Sequence, residues 1–352
     1  MESKSSPIRG RGSSDNPANR FEDRYTDYDL NEETGQKPSQ NTKLIPDDTK
    51  EILSKNDSPD LPFNYGLNPY RGCEHGCIYC YARPTHEYLG FSAGLDFESR
   101  IMVKYDAPEK LREKFLSKSW RPETIVLSGV TDAFQPIERK LEITRKCLKV
   151  FAEARNPVGI ITKNYLVTRD IDYLKELAEY NAVHVTLSVT TLDKDLARVM
   201  EPRTSQPSRR LKAIEELAEA GISVGVNVAP IIPGLTDHEA PEILKAARDA
   251  GAIHAGYTIV RLPYGVKDLF QEWLEQHFPD RKEKVLNRIR DLRGGKLYDS
   301  TFGKRFGGEG EFYHQIKEMF KIQTKKLGLN KKRFNLSTEH FRRPEKGQLG
   351  LF

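Results

Sequence analysis

From about Leu61 onward, short apolar runs alternate with segments whose apolar residues recur every three or four positions. Leu67–Arg71 leads into a loop rich in cysteine. Thr124–Gly129, Val158–Thr162, Val183–Thr190, Ser223–Pro230 and His254–Leu262 then read as short, buried strands. Near-continuous apolar runs of that length are what strands covered on both faces look like. Between them, Ala107–Lys118, Glu138–Arg155, Arg169–Tyr180, Gln206–Ala220 and Asp237–Ala250 carry the 3.6-residue period of helices lying on a core. Gly221 and Gly251 stand just past two of these helices, where a C-cap wants a left-handed residue. Strand and helix in alternation predict βαβ units and an α/β fold with a parallel sheet. Six repeats are too few for an eight-fold barrel.

The flanks differ in character. Residues 1–60 are polar, almost without periodic apolar pattern, and cannot bury enough surface to fold alone. They read as an extended arm, free or ordered against the main domain, and Arg9-Gly-Arg-Gly12 within it as a flexible end or a nucleic-acid contact. The core spans 61–265 and a mostly helical extension 266–328. Gly294–Gly310 interrupts that extension with glycines, aromatics, Lys304 and Arg305. The interruption reads either as a loop over the barrel mouth, with amides for phosphate and rings for bases, or as a plain connection. The tail, 329–352, holds much of the chain's net charge of +5. Its stretch Lys331–Lys346 has six basic residues against two acidic ones, either a phosphate contact or a solvated end. No apolar run is long enough to span a membrane, and the N-terminus lacks a signal peptide's apolar stretch, so a reducing cytoplasm is expected.

Three of the four cysteines, Cys73, Cys77 and Cys80, fall in Arg71-Gly-Cys-Glu-His-Gly-Cys-Ile-Tyr-Cys-Tyr-Ala82. Such crowding argues against structural core cysteines, and so few cysteines in so long a chain argue against a disulfide framework. Zinc is the rival, with His75 inside the run, but no second cysteine pair exists to complete a usual site. Three thiolates suit three irons of a cubic iron–sulfur cluster. Such clusters ordinarily take four, so the remaining iron is open to a small molecule. Cys147 lies on an amphipathic segment and reads as a core residue.

With Tyr79 before its last cysteine, CxxxCxxC resembles the radical S-adenosylmethionine (radical SAM) signature. Pro62–Gly328 resembles the spore photoproduct lyase-like branch of that superfamily, and more closely an uncharacterised bacterial group with an N-terminal Arg-Gly-Arg-Gly run. The phrases that carry this are Asn68-Pro-Tyr-Arg-Gly-Cys73, Thr131-Asp-Ala-Phe-Gln-Pro136, Glu201-Pro-Arg203, Ala229-Pro-Ile-Ile-Pro-Gly234 and Leu297-Tyr-Asp-Ser300. The resemblance implies a partial (β/α)6 TIM-type barrel and a [4Fe-4S] cluster on Cys73, Cys77 and Cys80. It implies that the open iron chelates S-adenosylmethionine and that one electron cleaves it to methionine and a 5′-deoxyadenosyl radical. An electron donor such as flavodoxin or ferredoxin is implied as well.

By position in the same pattern, the turn with Thr131 and Asp132 would meet the methionine amine of the cofactor. Lys163 would hold its carboxylate or a substrate phosphate, Ser188 would meet the ribose, and Arg203 would fork a carboxylate. Main-chain groups around Ile231 would hold the adenine, unless these prolines and Gly234 are plain turn chemistry. One departure matters: spore photoproduct lyases carry a hydrogen-donating cysteine just after the second strand, and Ser128–Asp132 has none. Repair of that lesion by that route is not expected.

Three functions compete. They are a radical SAM enzyme acting on DNA, one modifying RNA or protein, and a non-catalytic cluster protein that binds a partner. The last residues favour DNA. Gln348-Leu-Gly-Leu-Phe352 resembles the short peptide by which bacterial polymerases and repair proteins dock on the sliding clamp. In it Gln348 would bond the rim of an apolar pocket filled by Leu349, Leu351 and Phe352.

Overall fold

The computed structural model describes residues 7–21, 41–331 and 335–345. Six parallel strands form the core, β1 Tyr65–Leu67, β2 Ile125–Leu127, β3 Val158–Thr162, β4 Val183–Ser188, β5 Val224–Ile231 and β6 His254–Ile259. They lie side by side in chain order, from β6 at one edge to β1, with Leu53–Lys55 added antiparallel to β1 at the other. Registers run without slip from β1 to β5, for example Val158↔Val183 through Thr162↔Leu187. Helices α1 Ala107–Leu116, α2 Ile143–Ala154, α3 Ile171–Ala178, α4 Pro207–Glu219 and α5 Ala240–Asp249 connect successive strands, and α6 Val266–His277 follows the last. This is the partial (β/α)6 barrel that the resemblance implied, built from the strand–helix alternation of the sequence.

Local chemistry explains where the elements differ from expectation. The segment Glu138–Arg155 is not one helix. It breaks at Glu142, which has φ 53°, between Glu138–Leu141 and α2. The carboxylate of Glu138 accepts the freed amides of Thr144 (3.0 Å) and Arg145 (3.2 Å), so the break creates a capped start for α2. Cys147 on α2 is fully buried in the core, as its apolar neighbours required.

The N-terminal polar region is not irregular throughout. Lys43–Pro46 pairs with Arg100–Val103, which also pairs with Tyr70–Arg71, making a small second sheet. Such short strands borrow their partners from the core, so no long apolar pattern announces them. Residues 7–21 bury Ser13, Ser14, Asn16 and Asn19 against the core. Asn16 exchanges hydrogen bonds with Asp96, and Asn19 donates to Glu87 O at 2.9 Å. Polar side chains that satisfy buried backbone, rather than apolar ones, attach this segment.

Past α6 come α7 Pro279–Asp291, the glycine-rich loop, and α8 Glu311–Leu327. Phe306 O accepts from Ile259 N at 3.3 Å, and Arg293 donates to Lys304 O at 2.8 Å, so the loop lies over the end of β6. Residues 335–345 run along the opposite face. There Arg342 N and Nε donate to Ala154 O (2.9 Å) and Glu153 O (2.8 Å) at the end of α2. Arg343 donates to Phe115 O (2.8 Å) and Ser117 O beyond α1. These two exposed cations complete helix C-termini. Gln348, Leu349, Leu351 and Phe352 lie outside the described residues.

His184 on β4 is buried near His254, and burial first, then that neighbour, pull its pKa down to about 3. The unfolded chain takes up this proton below about pH 6.5 and the folded chain does not. Stability is therefore complete above about pH 6.5 and falls as pH drops toward about 3, by roughly 1.4 kcal/mol per unit once the unfolded imidazole is charged. Urea midpoints at pH 7.5 and 5.0 should differ accordingly, and His184→Gln should narrow the difference. An unchanged gap in the variant would refute the assignment.

Candidate active site

The cysteine loop leaves the small sheet at Tyr70–Arg71, at the C-terminal end of β1, where barrels place their chemistry. Its path is fixed by backbone bonds. Cys73 N donates to Phe97 O (2.9 Å) and Cys80 N to Cys77 O (3.2 Å). Gln135, in the turn after β2, accepts from Glu74 N and donates to Gly72 O. Arg83 is fully buried beneath the loop and donates to Cys77 O (3.0 Å) and Gly76 O (3.2 Å) while pairing with buried Glu98. Gly76 has φ 66°, and a Cβ there would meet Glu98 Oε2 at 2.7 Å, so only glycine fits.

Cys73 and Cys77 are buried, Cys80 is partly exposed, and none forms a disulfide. Burial pushes all three thiols up. Asp132 and the neighbouring cysteines add to this at Cys73, and Glu201 does so at Cys77. Three buried thiols in one loop disfavour their own thiolates, and bound iron would offset that cost. Among the described residues no three His, Cys, Asp or Glu side chains come together tightly enough for one metal ion. A cubane asks for something wider, three thiolates on three separate irons. The donor set and its burial fit a [4Fe-4S] cluster.

The other candidates divide into groups. Tyr79 and Lys163 meet in one buried network. Lys163 Nζ donates to Thr190 Oγ1 (3.1 Å) and Ala229 O (2.9 Å) and pairs with Glu201 at 3.2 Å. Tyr79 donates to Glu201, which also pairs with buried Arg210. Burial, then the charge of Arg210, pull Lys163 down to about 7. Its three protons already have acceptors, so Lys163 ties the ends of β3, β4 and β5 together below the loop. Ser188 joins through its carbonyl, which accepts from Arg210 at 3.0 Å. Ile231 is fully buried in register with Ile259.

Thr131 and Asp132 form the turn after β2, which starts at Ser128 with φ 70°. Thr131 donates to Tyr70 O at 2.6 Å. Asp132 accepts from Thr162 Oγ1 (2.8 Å), Lys163 N (2.8 Å) and Phe134 N (2.9 Å), and lies 3.4 Å from His75. Burial would raise this carboxyl, but His75 and the amides reverse the shift and hold it below the usual range. Asp132 thus fixes His75 of the cysteine loop against the barrel. Arg203 stands apart, half-buried, paired with Glu74 at 3.2 Å. Sequence reasoning missed Glu201, Arg210, Gln135 and the Arg83–Glu98 pair as site residues. Glu201 and Gln135 were inside phrases already singled out, whereas nothing in the sequence marks Arg83 or Arg210.

Residues 67–247 match the radical SAM superfamily. This chain belongs to that superfamily. An uncharacterized protein of Mycobacterium tuberculosis is 36% identical over 234 residues, covering 66% of this chain and 68% of the relative. The Radical SAM Nalpha-GlyT isomerase of Pseudomonas phage M6 is 27% identical over 230 residues, and the match covers 64% of this chain and 46% of that protein. Spore photoproduct lyase complexed with dinucleoside spore photoproduct has the same fold, with a TM-score of 0.57 and 17% identity across 81% of this chain and 80% of that one. No helix among the described residues of this radical SAM protein is long and apolar enough to cross a membrane.

Proposed function

We propose that the protein is a radical SAM enzyme, lyase or transferase in type, that acts on DNA and docks on the sliding clamp through its last residues. The observation that carries the chemistry is the trio Cys73, Cys77 and Cys80, gathered at the C-terminal end of a parallel partial barrel. Bound there, a [4Fe-4S] cluster would supply the electron that cleaves S-adenosylmethionine to methionine and a 5′-deoxyadenosyl radical. The chain's own residues hold and orient. Arg83 and Gln135 fix the loop backbone, Asp132 braces His75, and Lys163 with Glu201 locks the strand ends beneath. Arg203, the half-exposed cation near the loop, is the residue best placed to meet the cofactor's carboxylate. Anaerobic reconstitution should give about four irons per chain and a reduced spectrum that S-adenosylmethionine perturbs. Stoichiometric zinc without iron uptake would sink the reading.

DNA as substrate is supported by the fold shared with a lyase complexed with dinucleoside spore photoproduct, and by the sequence Gln348–Phe352. The described tail lies on the face opposite the cysteines. A clamp held from that side leaves the barrel mouth open. A peptide spanning Glu345–Phe352 should bind a bacterial clamp with roughly micromolar affinity. Leu351→Ala with Phe352→Ala should remove that binding. No binding by the native peptide, or equal binding by the doubly substituted one, excludes docking by this route.

A further inference from the structure

Among the described residues nine large apolar side chains are exposed, and six of them gather around the cysteine loop and the strand ends beside it: Phe21, Tyr81, Tyr88, Val130, Tyr264 and Phe302. Contacts join five of them into a track of two runs, which approach each other where Arg261 and Tyr264 lie three residues apart in the chain. Phe21 stacks on Tyr88 with ring centres 4.9 Å apart, and Arg20 lies 3.6 Å from the centre of Tyr264. Tyr264 neighbours Tyr298 at 6.4 Å. Further along, Arg261 lies 5.0 Å from the ring centre of Tyr81 and 4.6 Å from that of Phe306, and Arg305 lies 4.7 Å from that of Phe302. Tyr81 directly follows Cys80, so the track passes the cluster loop.

The cations on this track are not equivalent. Arg20 is neutralised by Glu87 at 2.6 Å and Arg305 by Asp60 at 2.8 Å. Arg261, just past β6, has no carboxylate partner among the described residues, and its buried Nε has no hydrogen-bond acceptor. Beside it, Arg293 is 3% exposed and its Nη atoms donate to Lys304 O and Val260 O, but its Nε too has no acceptor. Two neighbouring guanidiniums with orphaned donors are costly unless an anion completes them. Flat, exposed rings on either side are platforms on which unpaired bases stack, and an arginine fork suits a phosphodiester between them.

We propose that this track is a groove for single-stranded DNA, with Arg261 as its phosphate anchor and Tyr88 and Phe302 as stacking platforms. The proposal rests on the nucleic-acid reading above and names the form of substrate. It is tested on the full chain, without S-adenosylmethionine, by fluorescence anisotropy of a labelled 12-nucleotide DNA strand. The same strand as duplex, its RNA counterpart and a glutamate-rich peptide are compared. The single strand should bind at least about tenfold tighter than the duplex. Arg261→Gln should weaken it by about tenfold and lower the salt slope by about 0.7, one phosphate contact on a single strand. Tyr88→Ala and Phe302→Ala, at positions 71% and 58% exposed and so safe for folding, should each weaken it about fivefold or more. Binding unchanged in all three variants, or tighter binding of the peptide, duplex or RNA, overturns the groove. Formation of 5′-deoxyadenosine is followed in parallel on reconstituted protein. Cleavage without DNA binding removes the groove and leaves the radical chemistry, and DNA binding without cleavage does the reverse.

Discussion

Alanine at Cys73, Cys77 or Cys80 should reduce 5′-deoxyadenosine formation by reconstituted, reduced protein to background, while Cys147→Ala keeps it. On the proposed reading each of the three loop thiols is one iron ligand, and no side chain nearby can replace a lost thiolate. His75 is the only other soft ligand in the loop, and it is held toward Asp132 at 3.4 Å and Asn164 at 3.1 Å. Cys147 differs by place alone. It is fully buried on α2, and burial, followed by Glu138 and Glu109, pushes its thiol well up. Its replacement removes a small apolar side chain and should cost about 1 kcal/mol. Iron content, cofactor cleavage and urea midpoint, measured on all four variants, separate the roles. A Cys147→Ala protein that folds but holds no iron would transfer ligand status to Cys147 and refute the loop assignment.

The barrel was legible because its central strands, such as Val183–Ser188 and Val224–Ile231, are short and mostly buried while its helices bury one face, so length and periodicity together separate them. Val158–Thr162 was readable to the residue because it is a short apolar run between two helical segments. The ends were not. Glu142 interrupts a helical pattern because a carboxylate one turn earlier captures the freed amides, a local side-chain cap that propensity does not encode. The cluster loop was legible through three cysteines at fixed spacing. The residues expected to meet the cofactor were legible only as places at strand ends. Lys163 and Asp132 do stand there, but their hydrogen bonds go to the protein itself, to Glu201, Thr190 and Ala229 and to Thr162, Phe134 and His75. What a side chain at a strand end does depends on partners far away in sequence, such as Arg210, and these no local pattern announces. The Arg-Gly-Arg-Gly run was readable as a motif and misleading as composition. Polar, glycine-rich sequence suggests a loose end, yet here small residues are needed because the segment lies against backbone.

That contact makes the N-terminal segment part of the cysteine loop's support, and two substitutions should expose it. Glu98 is fully buried and serves three donors: Arg83, Ser13 N at 2.9 Å and Gly12 N at 3.0 Å. Glu98→Ala leaves the Arg83 cation unpaired under the loop, and breaking a buried pair from one side costs about 3–5 kcal/mol. The expected protein is markedly less stable to urea and takes up little iron. That result alone would not separate global destabilisation from a local role, so Gly12→Ala is the sharper change. It leaves Arg83 and Glu98 in place, but a Cβ at Gly12 would lie 1.7 Å from Gly76 O, between the second and first cysteines of the motif. Either residues 7–21 or the loop must yield. Few other contacts of the core are touched, so its melting temperature should stay within a few degrees of the parent, a shift of about 1 kcal/mol or less. Iron release to a chelator should nevertheless be several-fold faster. Release at the parent's rate, in a protein shown to be folded, would mean that the segment covers the loop without supporting it.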